Sequence, residues 1–276
     1  MKTILSLLAV LLFSSLSIAQ TTAIPDANFE AKLINLGLDS GPVDGSVPTA
    51  NIDTVTYLNI NSASIVLLTG IEDFTSLTNL FCYNNSLTGI NLSQNTALTV
   101  LGCQNNPILN LDLTQNTALT TLNCSSSFLS SLDVTQNTAL EFLNCTNSNN
   151  QLASLDLTQN IALTELICAN NQLTSLDITQ NTALEILSCT NNQITSLDIT
   201  QNTALTVLSC GKNQLTSLDV LQNATLIQIW CDFNQLTNID VTQNTALEYL
   251  NCDSNQLANL DVTQNITLNE LTFKNN

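Results

Sequence analysis

Apolar and polar positions follow a fixed order from residue 77 to residue 276, in a unit of 21 residues. One unit reads LTELICANNQLTSLDITQNTA, from Leu163 to Ala183, and the next reads LEILSCTNNQITSLDITQNTA, from Leu184 to Ala204. The frame gives nine complete units and a partial tenth, and only the unit that begins at Leu140 is longer, by two residues near Ser148 and Asn149. This period predicts a solenoid, in which each unit is a coil that buries its apolar face by stacking on its neighbours.

Two short segments of each unit alternate between inward and outward positions, as strands do. In one unit they are Leu166-Ile167-Cys168 and Leu176-Asp177-Ile178. We therefore predict two short parallel strands in each coil, stacked into two sheets around a narrow leucine core. The predicted fold is mostly strand and loop.

One cysteine occurs in each complete unit, at an alternate position after a leucine. The nine are Cys82, Cys103, Cys124, Cys145, Cys168, Cys189, Cys210, Cys231 and Cys252. Parallel strands place such neighbours about 4.8 Å apart, so distance alone does not forbid disulfides, but the side chains run parallel instead of converging. We interpret the cysteines as small buried apolar residues with free thiols.

Asparagines recur at two turns of the unit. The first turn holds Asn171, Asn192, Asn213, Asn234 and Asn255, and the second holds Asn181, Asn202, Asn223, Asn244 and Asn265. An amide side chain supplies donors and an acceptor to inward-facing turn backbone, so two asparagine ladders are predicted. An amide-lined binding groove is the alternative. Ser127 replaces asparagine in one coil, and a weaker turn is expected there.

These residues resemble a known family. The pattern L-x-x-L-x-C-x-x-N-x-L followed by x-x-L-D-[VIL]-x-x-N is similar to bacterial leucine-rich repeats of the 21-residue class with cysteine on the strand, found in exported proteins of the Bacteroidetes. The resemblance implies a right-handed leucine-rich-repeat solenoid of the α/β horseshoe superfamily, used for binding and often placed at a cell surface. The preceding stretch, residues 55–76, resembles an irregular first repeat of the internalin type.

The two ends of the chain carry other signals. Residues 1–19 have a basic start, an apolar stretch and small residues before Gln20, which predicts a secretory signal peptide without a lipid anchor or transmembrane helix. Residues 20–54 are predicted to form a helical cap, with Phe29, Leu33 and Leu36 over the open end of the core. Since the last unit is incomplete, we expect a chain that continues in a longer protein.

Charge limits the choice of partners and reactions. The chain has 22 Asp and Glu, four lysines, and neither histidine nor arginine. Such a surface repels nucleic acid and anionic membranes. Without histidine the usual general base and the commonest zinc ligand are missing, so we expect no enzyme and no cofactor.

Aspartates form a row at the outward position of the second predicted strand. They are Asp112, Asp133, Asp156, Asp177, Asp198, Asp219, Asp240 and Asp261. At about 5 Å apart in water, neighbouring carboxylates repel by about 0.8 kcal/mol, so something must compensate. We expect each carboxylate to accept hydrogen bonds from turn N–H groups or from the threonine two residues later, such as Thr179. A row of calcium ions is the alternative.

The outward positions of the first strand vary, unlike the rest of the unit, and include aromatic residues with polar neighbours. Exposed aromatics on a regular scaffold favour recognition. The candidate binding residues are Gln228, Trp230, Asp232, Tyr249, Asn251, Asp253, Phe142, Phe81 and Tyr83. Phe81 with Tyr83 could instead pack against the cap.

The favoured function is an exported protein-binding or adhesion module that uses this varied face. The alternative is a glycan-binding module, in which Trp230 and Tyr249 stack on sugar rings while acidic and amide neighbours bind hydroxyl groups.

Overall fold

The computed structural model describes residues 20–146 and 151–276, so the predicted signal peptide at 1–19 lies outside the described residues. The N-terminal segment pairs β1 (Thr21–Ala23) antiparallel with β2 (Ser46–Pro48). Between them lies helix α1 (Ala27–Asn35). Short 3₁₀ helices follow at Thr49–Asn51 and Ile71–Asp73.

Asp26 is the N-cap of helix α1, and its carboxylate accepts hydrogen bonds from Asn28 N and Phe29 N at 2.9 and 3.0 Å. Phe29 and Leu33 are fully buried, and the Phe29 ring lies 6.4 Å from the Phe74 ring. The expected burial of Leu36 is wrong. Leu36 is the C-cap residue, past the last helical turn, and 44% of its surface is exposed.

The remaining strands are three residues long except for β5 and β7, which have two. They are β3 (Tyr57–Asn59), β4 (Asn79–Phe81), β5 (Gly89–Ile90), β6 (Val100–Gly102), β7 (Asn110–Leu111), β8 (Thr121–Asn123), β9 (Phe142–Asn144), β10 (Glu165–Ile167), β11 (Ile186–Ser188), β12 (Val207–Ser209), β13 (Gln228–Trp230), β14 (Tyr249–Asn251) and β15 (Glu270–Thr272). All except β5 and β7 form one parallel sheet in chain order, so each strand lies beside the equivalent strand of the next coil.

The interior is a continuous column of leucines and thiols. From β4 to β14, the middle residue of each three-residue strand is buried, as Leu166 and Leu187 are, and so is the cysteine after the strand. In the last strand, β15, the middle residue Leu271 is 42% exposed. None of the nine cysteines forms a disulfide, as predicted. Burial raises the pKa of thiols such as Cys189, to about 12, so they remain protonated.

Both predicted asparagine ladders are present and join successive coils. In the first ladder, Asn192 Nδ2 donates to Cys189 O and to Cys168 O of the preceding coil, while its Oδ1 accepts from Leu173 N. In the second, Nδ2 of each asparagine donates to two carbonyls of the preceding coil. Ser127 donates its hydroxyl to Cys124 O at 2.7 Å. The structural interpretation of the asparagines is thus confirmed, although the amide oxygens of the second ladder, such as Asn202 Oδ1, accept no hydrogen bond from the described residues.

The second predicted strand forms in only two coils of the described chain, as β5 and β7. Elsewhere this segment is irregular, and its aspartate accepts hydrogen bonds from its own turn. Asp177 Oδ1 accepts from Thr179 N at 3.0 Å and from Thr179 Oγ1 at 2.7 Å. The same turn follows β7, where Asp112 Oδ1 accepts from Thr114 N at 3.0 Å and from Thr114 Oγ1 at 2.7 Å, so the turn alone does not decide whether a strand forms. The coils close around the core with one extensive sheet instead of two.

Candidate functional site

The outward side chains of the eleven-stranded sheet form one continuous surface, which we call the outer face. In-register pairing aligns them into two rows. The first row contains Tyr57, Asn79, Val100, Thr121, Phe142, Glu165, Ile186, Val207, Gln228, Tyr249 and Glu270. The second contains Asn59, Phe81, Gly102, Asn123, Asn144, Ile167, Ser188, Ser209, Trp230, Asn251 and Thr272. Aromatic residues are concentrated towards the two ends of these rows.

The C-terminal patch comprises Gln228, Trp230, Asp232, Tyr249, Asn251 and Asp253, all of them half-buried. The structure brings Trp230 and Tyr249 together diagonally: Trp230 lies beside Asn251, and Tyr249 lies beside Gln228. Both rings line a depression of about 260 Å³. Glu270 and Thr272 of β15 complete its wall, although sequence reasoning did not select them.

Three polar members of the C-terminal patch already have intramolecular roles. Asn251 Oδ1 accepts from Thr272 Oγ1 at 2.6 Å, and Asp253 Oδ1 accepts from the backbone N–H of Lys274. Asp232 bends over Gly211, where an added Cβ would lie only 2.6 Å from Asp232 Oδ1. These contacts fix the three polar groups, of which only Asn251 lines the depression that the two rings share.

Phe233 is a further aromatic residue near this patch that sequence reasoning missed. It has a φ of 51°, a left-handed conformation that is unfavourable for a bulky side chain, and 55% of its surface is exposed. Lys212 Nζ lies 5.9 Å from its ring centroid. The sequence did carry a signal for it. At the same position of the repeat, successive coils have Asn191, Lys212, Phe233 and Ser254, so Phe233 is the one apolar residue among them.

The other predicted aromatics, Phe81, Tyr83 and Phe142, lie together near the N-terminal end of the sheet. They line a depression of about 370 Å³, which we call the Gly102 hollow. Phe81 packs against Tyr57 of β3, with ring centroids 5.6 Å apart. Tyr57 was missed because the irregular first coil does not share the regular frame.

The aspartate row has the hydrogen bonds expected of it. Thr179 donates to Asp177 from both its side chain and its backbone, and these bonds hold the pKa of Asp177 below its ordinary value despite weak repulsion from Asp198 and Asp156. Within the described residues, no group of three or more acidic or cysteine side chains is arranged to hold a metal ion. The geometry provides no support for the calcium alternative.

Comparison with known proteins identifies the repeat. A model of leucine-rich repeats (two copies) matches residues 161–202 and 182–223. Internalin J of Listeria monocytogenes serotype 4b is 43% identical over 72 residues, which are 26% of this chain and 8% of that protein.

Two solved structures are similar over most of the chain. The functional domain of internalin J from Listeria monocytogenes, described as including a cysteine ladder, has a TM-score of 0.86 and 41% identity, over 91% of this chain and 56% of that one. A leucine-rich-repeat protein of Leptospira interrogans has a TM-score of 0.72 and 28% identity, over 80% and 60%. The chain thus spans only part of the length of these relatives.

The predicted leucine-rich-repeat solenoid is confirmed by these similarities together with the chain-order parallel sheet. They also support the interpretation as a bacterial leucine-rich-repeat protein. An origin in the Bacteroidetes stays a prediction. In the part of the chain that the structure describes, no helix is both long and apolar enough to cross a bilayer.

Proposed function

We propose that this leucine-rich-repeat solenoid is an exported, non-catalytic module that binds a protein partner through its outer face, with the C-terminal patch as the principal contact. The depression shared by Trp230 and Tyr249 carries this proposal. Two large aromatic rings framed by fixed polar groups have the composition of an interface hot spot.

Variation within the chain supports the choice of face. The second segment repeats almost unchanged as SLDITQN, SLDVTQN or NLDLTQN, and its aspartates serve the fold. On the outer face, by contrast, Ile186, Val207, Gln228 and Tyr249 follow one another in a single row. A residue that the repeat does not need for folding is free to serve recognition.

Export and the absence of catalysis belong to the same proposal. The signal-like pattern of residues 1–19 supports export, and the similarity to internalin J, a Listeria protein, supports a binding role. A leucine-rich-repeat solenoid offers an extended rigid surface for binding. The excess of acidic residues favours a partner whose contact surface is neutral or basic.

The test uses the double variant Trp230→Ala with Tyr249→Ala on an array of secreted and cell-surface proteins, followed by titration of each hit. Loss of two hot-spot rings is expected to weaken binding by about 30-fold or more, which corresponds to about 2 kcal/mol. The matched control is Phe128→Ala, which truncates an aromatic residue that is 47% exposed outside the outer face. Binding by the control should be unchanged.

Trp230 also gives a direct signal, because it is the chain's single tryptophan. Its fluorescence should change on addition of a protein that uses the patch. Protein binding that the double variant retains in full would contradict the patch as the principal contact. Hits confined to a glycan array would replace the proposal with the glycan alternative.

A further inference from the structure

The Gly102 hollow exists because one coil lacks a side chain at an outward position. Gly102 lies in register between Phe81 and Asn123. A Cβ at residue 102 would lie 3.0 Å from Phe81 Cδ1 and 3.3 Å from Gln104 Oε1, so even a small side chain would have to displace the ring or the amide. The equivalent residue two coils later is Asn144, and two coils after that it is Ser188.

Four of the residues that line the hollow are aromatic. The Tyr57 and Phe81 rings are inclined to each other by 48°, and Tyr83 and Phe142 also line the space. The faces of such rings attract cations, most strongly where water is partly excluded. The lining residues are all uncharged, so no lysine of this chain lies among them.

A hydrogen-bond acceptor lies in the same wall without a donor. Gln104 Oε1 is buried and accepts no hydrogen bond from any described residue. A buried acceptor without a donor is unfavourable, so a ligand with an N–H group gains by bonding to it when the Gln104 side chain turns its amide towards the hollow. The hollow thus combines cation-attracting rings with an acceptor.

We propose that the Gly102 hollow binds an arginine side chain of a basic protein partner. A guanidinium group is planar, stacks on aromatic faces and has several N–H donors, one of which would bond to Gln104 Oε1. The chain contains no arginine, so the occupant must come from another molecule. Its excess of acidic over basic residues attracts such a cation. This inference rests on the proposed function, and adds a second contact to the same outer face.

The experiment titrates the whole protein, labelled with ¹⁵N at glycine only, with Nα-acetyl-arginine N-methylamide. The chain has seven glycines, so the spectrum is simple, and Gly102 is assigned from the Gly102→Ser variant. The Gly102 amide should shift in a saturable way, while Gly211 and Gly37, which lie elsewhere, should not. The citrulline analogue, which is neutral but nearly the same shape, should bind at least fivefold more weakly.

Variants then test each wall. Phe81→Leu keeps an apolar side chain but removes the ring, and Gln104→Leu removes the acceptor; each should weaken binding at least fivefold. Gly102→Ser introduces the residue found at the equivalent positions Ser188 and Ser209. Because this variant lacks the Gly102 amide, its binding is followed by saturation-transfer difference spectra of the arginine compound, and this signal should disappear. The melting temperature of the variant shows that it is folded.

Equal shifts with arginine and citrulline, or no saturable shift of Gly102, would overturn the inference on the unmodified protein. Failure of the proposed function is a separate result, because it is measured at Trp230 and Tyr249 with protein probes. Arginine binding at the hollow would persist in the Trp230→Ala with Tyr249→Ala variant.

Discussion

Replacing Asn202 with alanine should lower the free energy of unfolding by the contribution of the two hydrogen bonds that this residue makes in the second asparagine ladder. Asn202 is fully buried, and its Nδ2 donates to Ile178 O at 3.0 Å and to Asn181 O at 2.8 Å. Both carbonyls keep a backbone donor, from Asn181 N and Leu184 N respectively, so neither is left without a partner. Two lost bonds at about 0.5–1.5 kcal/mol each give an expected loss of about 1–3 kcal/mol.

Urea denaturation followed by far-ultraviolet circular dichroism measures this loss as a lower midpoint at unchanged m value. The matched control is Gln201→Ala, the adjacent exposed residue, which should stay within about 0.5 kcal/mol of the unmodified protein. If the two variants have the same free energy of unfolding, the ladder does not stabilise the stack and the reasoning fails.

A second substitution tests whether Asn202 acts as a hydrogen-bond donor in the ladder. Asn202→Asp puts a carboxyl group against the same two carbonyl oxygens in a buried site, which favours its protonated form and raises its folded pKa above the unfolded value of about 3.9. Below the unfolded pKa this carboxyl group is neutral in both states, so the folded protein tolerates it. As the pH rises through the folded pKa, the free energy of unfolding of the variant falls. The variant should therefore be relatively less stable at pH 7 than at pH 4. The opposite trend would contradict the donor role.

Three other outcomes follow from the described contacts. The N-terminal segment should loosen as the pH falls below about 4. Burial raises the pKa of Asp26, but hydrogen bonds from the backbone of Leu67, Val66 and the helix start outweigh it and hold the pKa below its ordinary value. The stability that Asp26 contributes is therefore fully present above its unfolded pKa and is lost as the pH falls through its folded pKa. Hydrogen exchange of the Val66 and Leu67 amides measures this, and equal protection at pH 3 and pH 6 would contradict it. Buried thiols such as Cys189 should react with a colorimetric disulfide reagent only after unfolding, and rapid reaction of the native protein would refute their burial. The melting temperature should be the same in calcium and in chelator, because Asp177 already accepts from Thr179; a rise in calcium would restore the ion alternative.

Repetition explains how much of the fold the sequence predicts. Because every unit has the same frame, the inward leucine, the buried thiol and both asparagine turns follow from one 21-residue pattern. The prediction of a second sheet is wrong for most coils, because Leu176-Asp177-Ile178 alternates as a strand does but only β5 and β7 pair in this part of the described chain. Alternation shows which side chains are buried, as Leu176 and Ile178 are, but not whether the backbone pairs with the next coil.

The candidate site is only partly visible in the sequence. The period places Trp230 and Tyr249 on one face, but their diagonal arrangement needs the strand register. The Gly102 hollow was missed for a different reason. It depends on an absent side chain and on the unpaired Gln104 Oε1, and neither gives a positive signal in a pattern search.

The chain-order sheet makes every junction between coils nearly the same junction. The strands β10, β11 and β12 pair in identical register, and the segments ending at Ala183 and Ala204 are almost identical in sequence. Excision of residues 184–204 would therefore rejoin two surfaces that already fit, and duplication would do the same. The distance between the two aromatic regions is thus adjustable in whole steps, so that evolution or an engineer can match the spacing of a partner without redesigning the core.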